Sequence, residues 1–501
     1  MEKNREISGA PFWTLEKRSW FGNIVGDLWG GAVTTFAVLP ETIGFMIAAG
    51  VPPYIGLYTC IILMITLAIF GGRPGVMSAG AGSTAMITVT LVARYFDTYP
   101  EYLFAAVILA GLIQVVLGLC RVGNLVKYLP KSVLSGFCNG LAILIFISQV
   151  KLIFKDLTTL PEMLILVAVG VVLIVFLPRL MNKSAFLKKV PASLIAIILI
   201  TVYAIAFGRP VMRISDMGSI VPSFEYVGMV FGRLPHIFTA ECIKSILPVA
   251  FSVAMVGIIE TMLTCRVVTE ETNTPEMENL NRECCGQGIG NIICGIFGAM
   301  PGCAMMGQTN ANIGAGGRGR LSSLFSGVLL AALLFSVSGV LAAIPLAALV
   351  AVMIIVCYQT FDWDSVIKFY RLPVKDTTSM LICVVIVLAT DNLAYGVGAG
   401  IIIYVIGHWI GKLIKKSSLI FGIACLFMAG TVFAAVRSIS SHGPDHVWMP
   451  LLCFTLAMVS ITIAGASGNE TTEAGGIRVA STVVMAVCGI AAAASLVFMY
   501  I

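Results

Sequence analysis

Charge is scarce in this sequence. Asp, Glu, Lys and Arg make up 11% of its 501 residues, where a soluble domain carries about a quarter. With 58% hydrophobic residues and a mean hydropathy of +0.99, no water-soluble fold could bury the apolar surface, so the bilayer is the solvent. The first 20 residues lack an apolar stretch with a small-residue cleavage site and hold Glu2, Lys3, Arg5, Glu6, Glu16, Lys17 and Arg18; no cleavable signal peptide is expected. Histidine is sparse, and His236, His408, His442 and His446 do not cluster. The cysteines lack metal or redox spacing: Cys284 and Cys285 are adjacent, while Cys60, Cys138, Cys294, Cys357, Cys383 and Cys453 lie in apolar runs and read as small hydrophobes. No catalytic triad, phosphate loop or nucleic-acid motif is present, so neither an enzyme nor a resident cofactor is expected. The net charge of +6 sits in short loops, where topology explains it better than nucleic acid does.

What the sequence does have is a series of apolar runs, each near the roughly 20 residues that cross a bilayer. They fall near 26–49, 53–71, 76–94, 102–120, 128–150, 161–178, 190–207, 242–265, 284–299, 303–315, 321–341, 345–359, 376–391 and 394–411. With Met1 inside the cell, basic residues crowd the inner loops, including Arg73, Arg121, Lys127, Arg179, Arg282, Arg318 and Lys412. The outer loops hold few, among them Lys151, Arg209 and Lys244. That asymmetry supports both the span count and a cytoplasmic N-terminus. The expected fold class is an all-α integral membrane protein of the cell membrane, with residues 1–20 as a cytoplasmic segment.

Two spans are interrupted. Gly71 to Thr84 breaks the start of the third, and Gly298 to Asn312 the start of the tenth. Interruptions at the third and tenth of fourteen positions are what a seven-plus-seven inverted repeat produces, and they point to a binding site. Glycine runs also serve close helix packing, but packing does not need the hydroxyls and amides of Ser83, Thr84, Gln308, Thr309, Asn310 and Asn312. A half-helix starting at membrane depth offers free N–H groups and a positive dipole end to an anion. The expected cradle is Gly80, Ala81, Gly82, Ser83 and Thr84 on one side and Gly307, Gln308 and Thr309 on the other.

Acidic residues inside spans are functional candidates. Glu41 follows Pro40 in the first span, and Glu260 lies in the eighth, its counterpart under the repeat. Each is followed by threonine, Thr42 or Thr261, and Thr264 lies one turn beyond Glu260 on the same face. Such oxygens suit a sodium ion, at Glu260 and Thr264, or a proton; either glutamate could instead be a satisfied structural group. Carboxylates beside an anion repel it unless a cation neutralises them, so cation-coupled symport is expected.

The motifs resemble the SulP (sulfate permease) family. The resemblance rests on Leu39-Pro40-Glu41-Thr42-Ile43-Gly44-Phe45, Gly71 to Ser83, Tyr128-Leu129-Pro130-Lys131-Ser132, Ile259-Glu260-Thr261-Met262-Leu263-Thr264, Asn281 to Gly288 and Gly307 to Leu321, over about residues 20–415. It implies the uracil-permease-like fold within residues 21–415, with core spans 1–4 and 8–11 moving like an elevator against gate spans 5–7 and 12–14. It also implies sulfate, bicarbonate, chloride or dicarboxylates as substrates, a cation held at the Glu260 and Thr264 positions, and a homodimer. Many relatives carry arginine where this chain has Gln308. Relatives usually end in a soluble STAS domain, whereas the apolar runs within residues 416–501 read as about three additional membrane helices. A nucleobase permease of the same fold, or an anion channel without coupled transport, stand as alternatives.

Overall fold

The computed structural model describes residues 12–414, apart from 124–129, 157, 182–190, 208–210, 219, 234–238, 368–373 and 391–392. The expected helices within 416–501 lie outside the described residues. After a short α1 (Phe12–Phe21), the chain runs through α2 (Ile24–Ala49), α3 (Pro53–Phe70), strand β1 (Ser78–Ala79) leading α4 (Gly82–Tyr95), α5 (Glu101–Leu119), α6 (Lys131–Ile153), α7 (Leu160–Met181) and α8 (Ala192–Ala206). Beyond a four-residue α9 (Met229–Gly232) the order repeats. It comprises α10 (Ala240–Thr272), α11 (Leu280–Ile296), β2 (Cys303–Ala304) leading α12 (Met306–Gly314), α13 (Arg320–Ala342), α14 (Leu346–Thr360), a short α15 (Trp363–Ile367), α16 (Val374–Thr390) and α17 (Leu393–Ile414). Each expected span has its helix, and in each half the third element begins as a strand.

Local chemistry sets the ends. α2 stops at Gly50, whose φ of 77° only glycine adopts without strain. Pro53 opens α3, where a missing N–H costs nothing. Seven of the described helices are long and apolar enough to cross a membrane, and four shorter apolar helices accompany them. At 33 residues, α10 is about 50 Å long, more than the roughly 30 Å of a hydrocarbon core, and it ends on the polar Thr269-Glu270-Glu271-Thr272.

The two broken spans meet. β1 pairs antiparallel with β2, Ser78 opposite Ala304 and Ala79 opposite Cys303, the relation an inverted repeat requires. Irregular backbone at this depth survives only if its polar groups find partners, and they do. Met305 N–H donates to Met77 O (2.9 Å), Met77 N–H to Thr309 Oγ1 (3.0 Å), and Ala304 N–H to Thr261 Oγ1 (3.1 Å). The hydroxyls of Thr59 and Thr84 donate to Met300 O (2.8 Å) and Pro301 O (3.0 Å). Gly302 is held on both sides: its N–H donates to Asn291 Oδ1 (3.0 Å), and its carbonyl accepts from Gln287 Nε2 (2.8 Å) and Asn291 Nδ2 (3.1 Å).

Two buried carboxylates secure the loops flanking the crossing. Asp27 of α2 accepts from the N–H groups of Arg318 (2.7 Å) and Gly319 (2.8 Å). Glu283 of α11 accepts from those of Gly72 (2.5 Å) and Arg73 (2.9 Å). By internal contacts the chain divides into two compact units, residues 1–128 with 148–358, and 129–147 with 359–501. The crossing belongs to the first. In the second, α6 packs on α16, with Cys383 where a side chain on Gly136 would stand, and Ser132 donates to Asp376 (3.1 Å).

Candidate functional site

Every expected site residue lies at or beside the crossing. The first i→i−4 bonds of the half-helices are Ala85 N to Ala81 O and Thr309 N to Met305 O, both 3.0 Å. The amides of Gly82, Ser83 and Thr84, and of Met306, Gly307 and Gln308, therefore precede the helical ladder, and neither helix start carries a side-chain cap. These are the orphan donors of a helix N-terminus. Gly80 contributes less as a donor, because its N–H points at Cys60 Sγ (3.4 Å).

The two glycines of the cradle differ. A side chain on Gly82 would meet the Phe45 ring at 2.5 Å, whereas one on Gly307 meets nothing within 4 Å among the described residues. Gly307 and its neighbour Met306 are exposed, so the start of α12 opens onto accessible space. Gly307→Leu is accordingly expected to leave thermal stability within about 0.5 kcal/mol of wild type while lowering anion uptake at least about tenfold, equivalent to about 1.4 kcal/mol of lost binding. Gly82→Leu lowers both, because Phe45 must move. A thermal melt alongside uptake by inserted protein checks the contrast.

Each half-helix start meets a carboxylate from the opposite repeat. Ser83 of α4 donates its hydroxyl to Glu260 of α10, and Gln308 of α12 donates its amide to Glu41 of α2. Both glutamates are partly accessible. Unlike Asp27 and Glu283, whose bonds go to backbone N–H groups, they are met here by side chains that can turn away. Cys303 also donates its thiol to Glu260 (3.1 Å). Thr264 donates to the main-chain carbonyls of Glu260 (2.9 Å) and Ala304 (3.4 Å), so its hydroxyl is engaged by backbone. Thr261 faces β2 as the acceptor for Ala304. Thr42 is paired with Cys60 (3.1 Å).

Sequence reasoning missed Cys303 and Cys60 as polar partners, Phe45 against Gly82, and the amide clamp of Gln114, Gln287 and Asn291. The amides left a signal: Asn291 and Gln287 are uncharged polar residues one turn apart in an apolar run, and such residues must be paired at membrane depth.

A half-helix pair of this kind, carried on two matching sets of seven spans, has relatives. A model described as "Sulfate permease family" matches residues 24–386. The chain belongs to that family. Among curated relatives of this sulfate permease homologue, "Putative sulfate transporter YbaR" of Bacillus subtilis is 43% identical over 388 residues, 77% of each chain. The bicarbonate transporter BicA of Synechocystis is 30% identical over 409 residues, covering 76% of this chain and 69% of its own. The solved transmembrane domain of a cyanobacterial bicarbonate transporter BicA matches with a TM-score of 0.65 at 29% identity, over 76% of this chain and 98% of that one. A murine Slc26a9 structure matches with a TM-score of 0.66 at 19% identity, over 81% of this chain and 73% of that one, a likeness of fold. The chain is thus a multi-pass integral membrane protein with the sulfate permease fold, its spans in inverted repeats.

Proposed function

We propose that this protein is a secondary transporter that moves a small anion of the sulfate, bicarbonate or dicarboxylate class together with a cation. The observation that carries the proposal is the pairing of two uncapped half-helix starts, each with a carboxylate from the other repeat on its first turn. Uncapped amides attract an anion, yet Glu41 and Glu260 repel it. At about 4 Å two unit charges interact by about 4 kcal/mol at an effective dielectric of 20, so both bind only when a proton or sodium ion neutralises the carboxylate. Glu260, met by Ser83 and Cys303, is the first cation contact; Thr264 joins it if its hydroxyl turns from the backbone. Transport follows if core spans 1–4 and 8–11 carry this site past gate spans 5–7 and 12–14. The names of the relatives, sulfate and bicarbonate transporters, support the anion-transport part of this reading.

The test is uptake of radiolabelled sulfate, bicarbonate and succinate into proteoliposomes, with sodium and proton gradients imposed separately. One of the anions is expected to accumulate saturably under one of the gradients. Conductance without gradient-driven accumulation would make the protein a channel and overturn the proposal.

A further inference from the structure

The side chain of Gln308 carries an unfinished account of its hydrogen bonds. It is 1% exposed, its Nε2 donates to Glu41 Oε2, and among the described residues its Oε1 has no partner. An ionised carboxylate only accepts, so it fixes which way the amide faces: NH2 toward Glu41 and C=O away. In that state the residue on the first turn of α12 carries a buried, unpaired carbonyl oxygen and holds its amide against a negative charge. Both oppose an anion.

We infer that Gln308 is an amide switch set by Glu41, which withholds a donor from the anion when Glu41 is ionised and releases it when Glu41 takes up a proton. The inference rests on reading the half-helix starts as the anion site. A protonated Glu41 gains an O–H donor, and the partner that lacks one is Gln308 Oε1. Rotation of the carboxamide by half a turn about its terminal bond lets Glu41 O–H donate to Oε1 and frees both N–H groups of Nε2 for the anion. One proton enters on Glu41, no covalent bond to carbon changes, and the orphaned acceptor is satisfied. The local charge rises by one as the donor appears, so proton and anion bind as a pair.

The surroundings leave Glu41 as the group that sets the switch. Among the described residues, the ionisable group of α3 within its electrostatic reach is the Cys60 thiol, itself paired with Thr42, while Tyr54 and Tyr58 of the same helix both reach Ser223. α12 carries no ionisable residue. Arg94 lies near the far end of α4, Arg320 opens α13 held by Ser19 and Ala68, and Tyr203 of α8 is exposed. Glu260 of α10 approaches the other half-helix, through Ser83.

Infrared difference spectra of the purified full chain between high and low pH, without any anion, test the switch directly. A protonated-carboxyl band and a shift of the glutamine side-chain carbonyl band are expected to arise together, and the Glu41 part of the first and the whole of the second to vanish in Glu41→Gln. In Gln308→Met the carboxyl band should remain and the amide shift should go. Sulfate, fully ionised across this range, is the binding probe. Its affinity is expected to rise on acidification about ten- to hundredfold more in wild type than in Gln308→Met, where neutralising the carboxylates acts alone, the difference being the worth of one hydrogen bond to a charged group. An amide shift that persists in Glu41→Gln, or Gln308→Met that keeps the wild-type rise, overturns the inference. If sulfate and the other anions bind nowhere, the half-helix reading fails while the spectra still judge the switch.

Discussion

Glu260→Gln is expected to strip anion uptake of its cation dependence while the protein still folds and inserts. Glutamine matches glutamate in shape, and its Oε1 can still accept from the Ser83 hydroxyl and the Cys303 thiol that hold the carboxylate. What goes is the negative charge. Leaving a buried charge without its opposite costs about 3–5 kcal/mol, so a cation at this position loses about two to four orders of magnitude in affinity. In proteoliposomes the variant should equilibrate the transported anion without accumulating it under the gradient that drives wild type. Its size-exclusion profile and thermal midpoint should be unchanged, because no hydrogen bond within the crossing is removed. Gradient-driven accumulation retained by Glu260→Gln would take Glu260 out of the cation site. Thr264→Val is the milder companion: its hydroxyl serves two main-chain carbonyls, so its loss touches the carboxylate only indirectly.

The contrast among acidic residues shows how far the sequence could be read. Apolar runs and the two interruptions located the spans and the crossing, because hydrocarbon thickness and the cost of unpaired backbone leave few solutions. Residue type alone did not separate the carboxylates. Asp27, Glu41, Glu260 and Glu283 are all acids in or at the ends of apolar runs. Asp27 and Glu283 each accept two backbone N–H groups from a distant loop, and are thereby fixed. Glu41 and Glu260 meet side chains from the opposite repeat. That distinction depends on contacts hundreds of residues apart, which no local pattern encodes. The same holds for the thiols: apolar neighbours identified Cys60 as buried, Cys303 was not singled out, and only the fold brings the first beside Thr42 and the second beside Glu260. The β1–β2 pairing was likewise invisible, since two residues are too few for any periodicity to register. Its need could be argued from the glycines, but its register, Ser78 with Ala304 and Ala79 with Cys303, is set by the side chains around it.

Those side chains lead to the second large effect. Asn291→Leu should destabilise the protein by about 2–6 kcal/mol, because two groups lose their partners at about 1–3 kcal/mol each. Asn291 Oδ1 is the acceptor for Gly302 N–H (3.0 Å), and its Nδ2 supplies Gln114 Oε1 (2.8 Å) as well as Gly302 O (3.1 Å). Leucine has similar volume, so cavity formation contributes little and the cost is that of unmade hydrogen bonds where water does not reach. Gly302 cannot escape by shifting, since even an added Cβ would stand 2.2 Å from Ala79 O: the strands are already as close as backbone allows. Gln287→Leu is the internal standard. It removes one of two donors to Gly302 O and the acceptor for Ser78 Oγ, but Gly302 O keeps Asn291 and Ser78 keeps its backbone pairing. Its cost should be about 1–3 kcal/mol, and its thermal midpoint should lie between wild type and Asn291→Leu. Since β1 and β2 aim α4 and α12, Asn291→Leu should also weaken anion binding by more than Gln287→Leu does, although neither side chain belongs to the cradle. Melting of the two variants in detergent, followed by sulfate binding to the folded fraction, measures both orders. If Gln287→Leu proved the more damaging in both, the crossing would be held through Ser78 and the β1 side, and Asn291 would be a passenger.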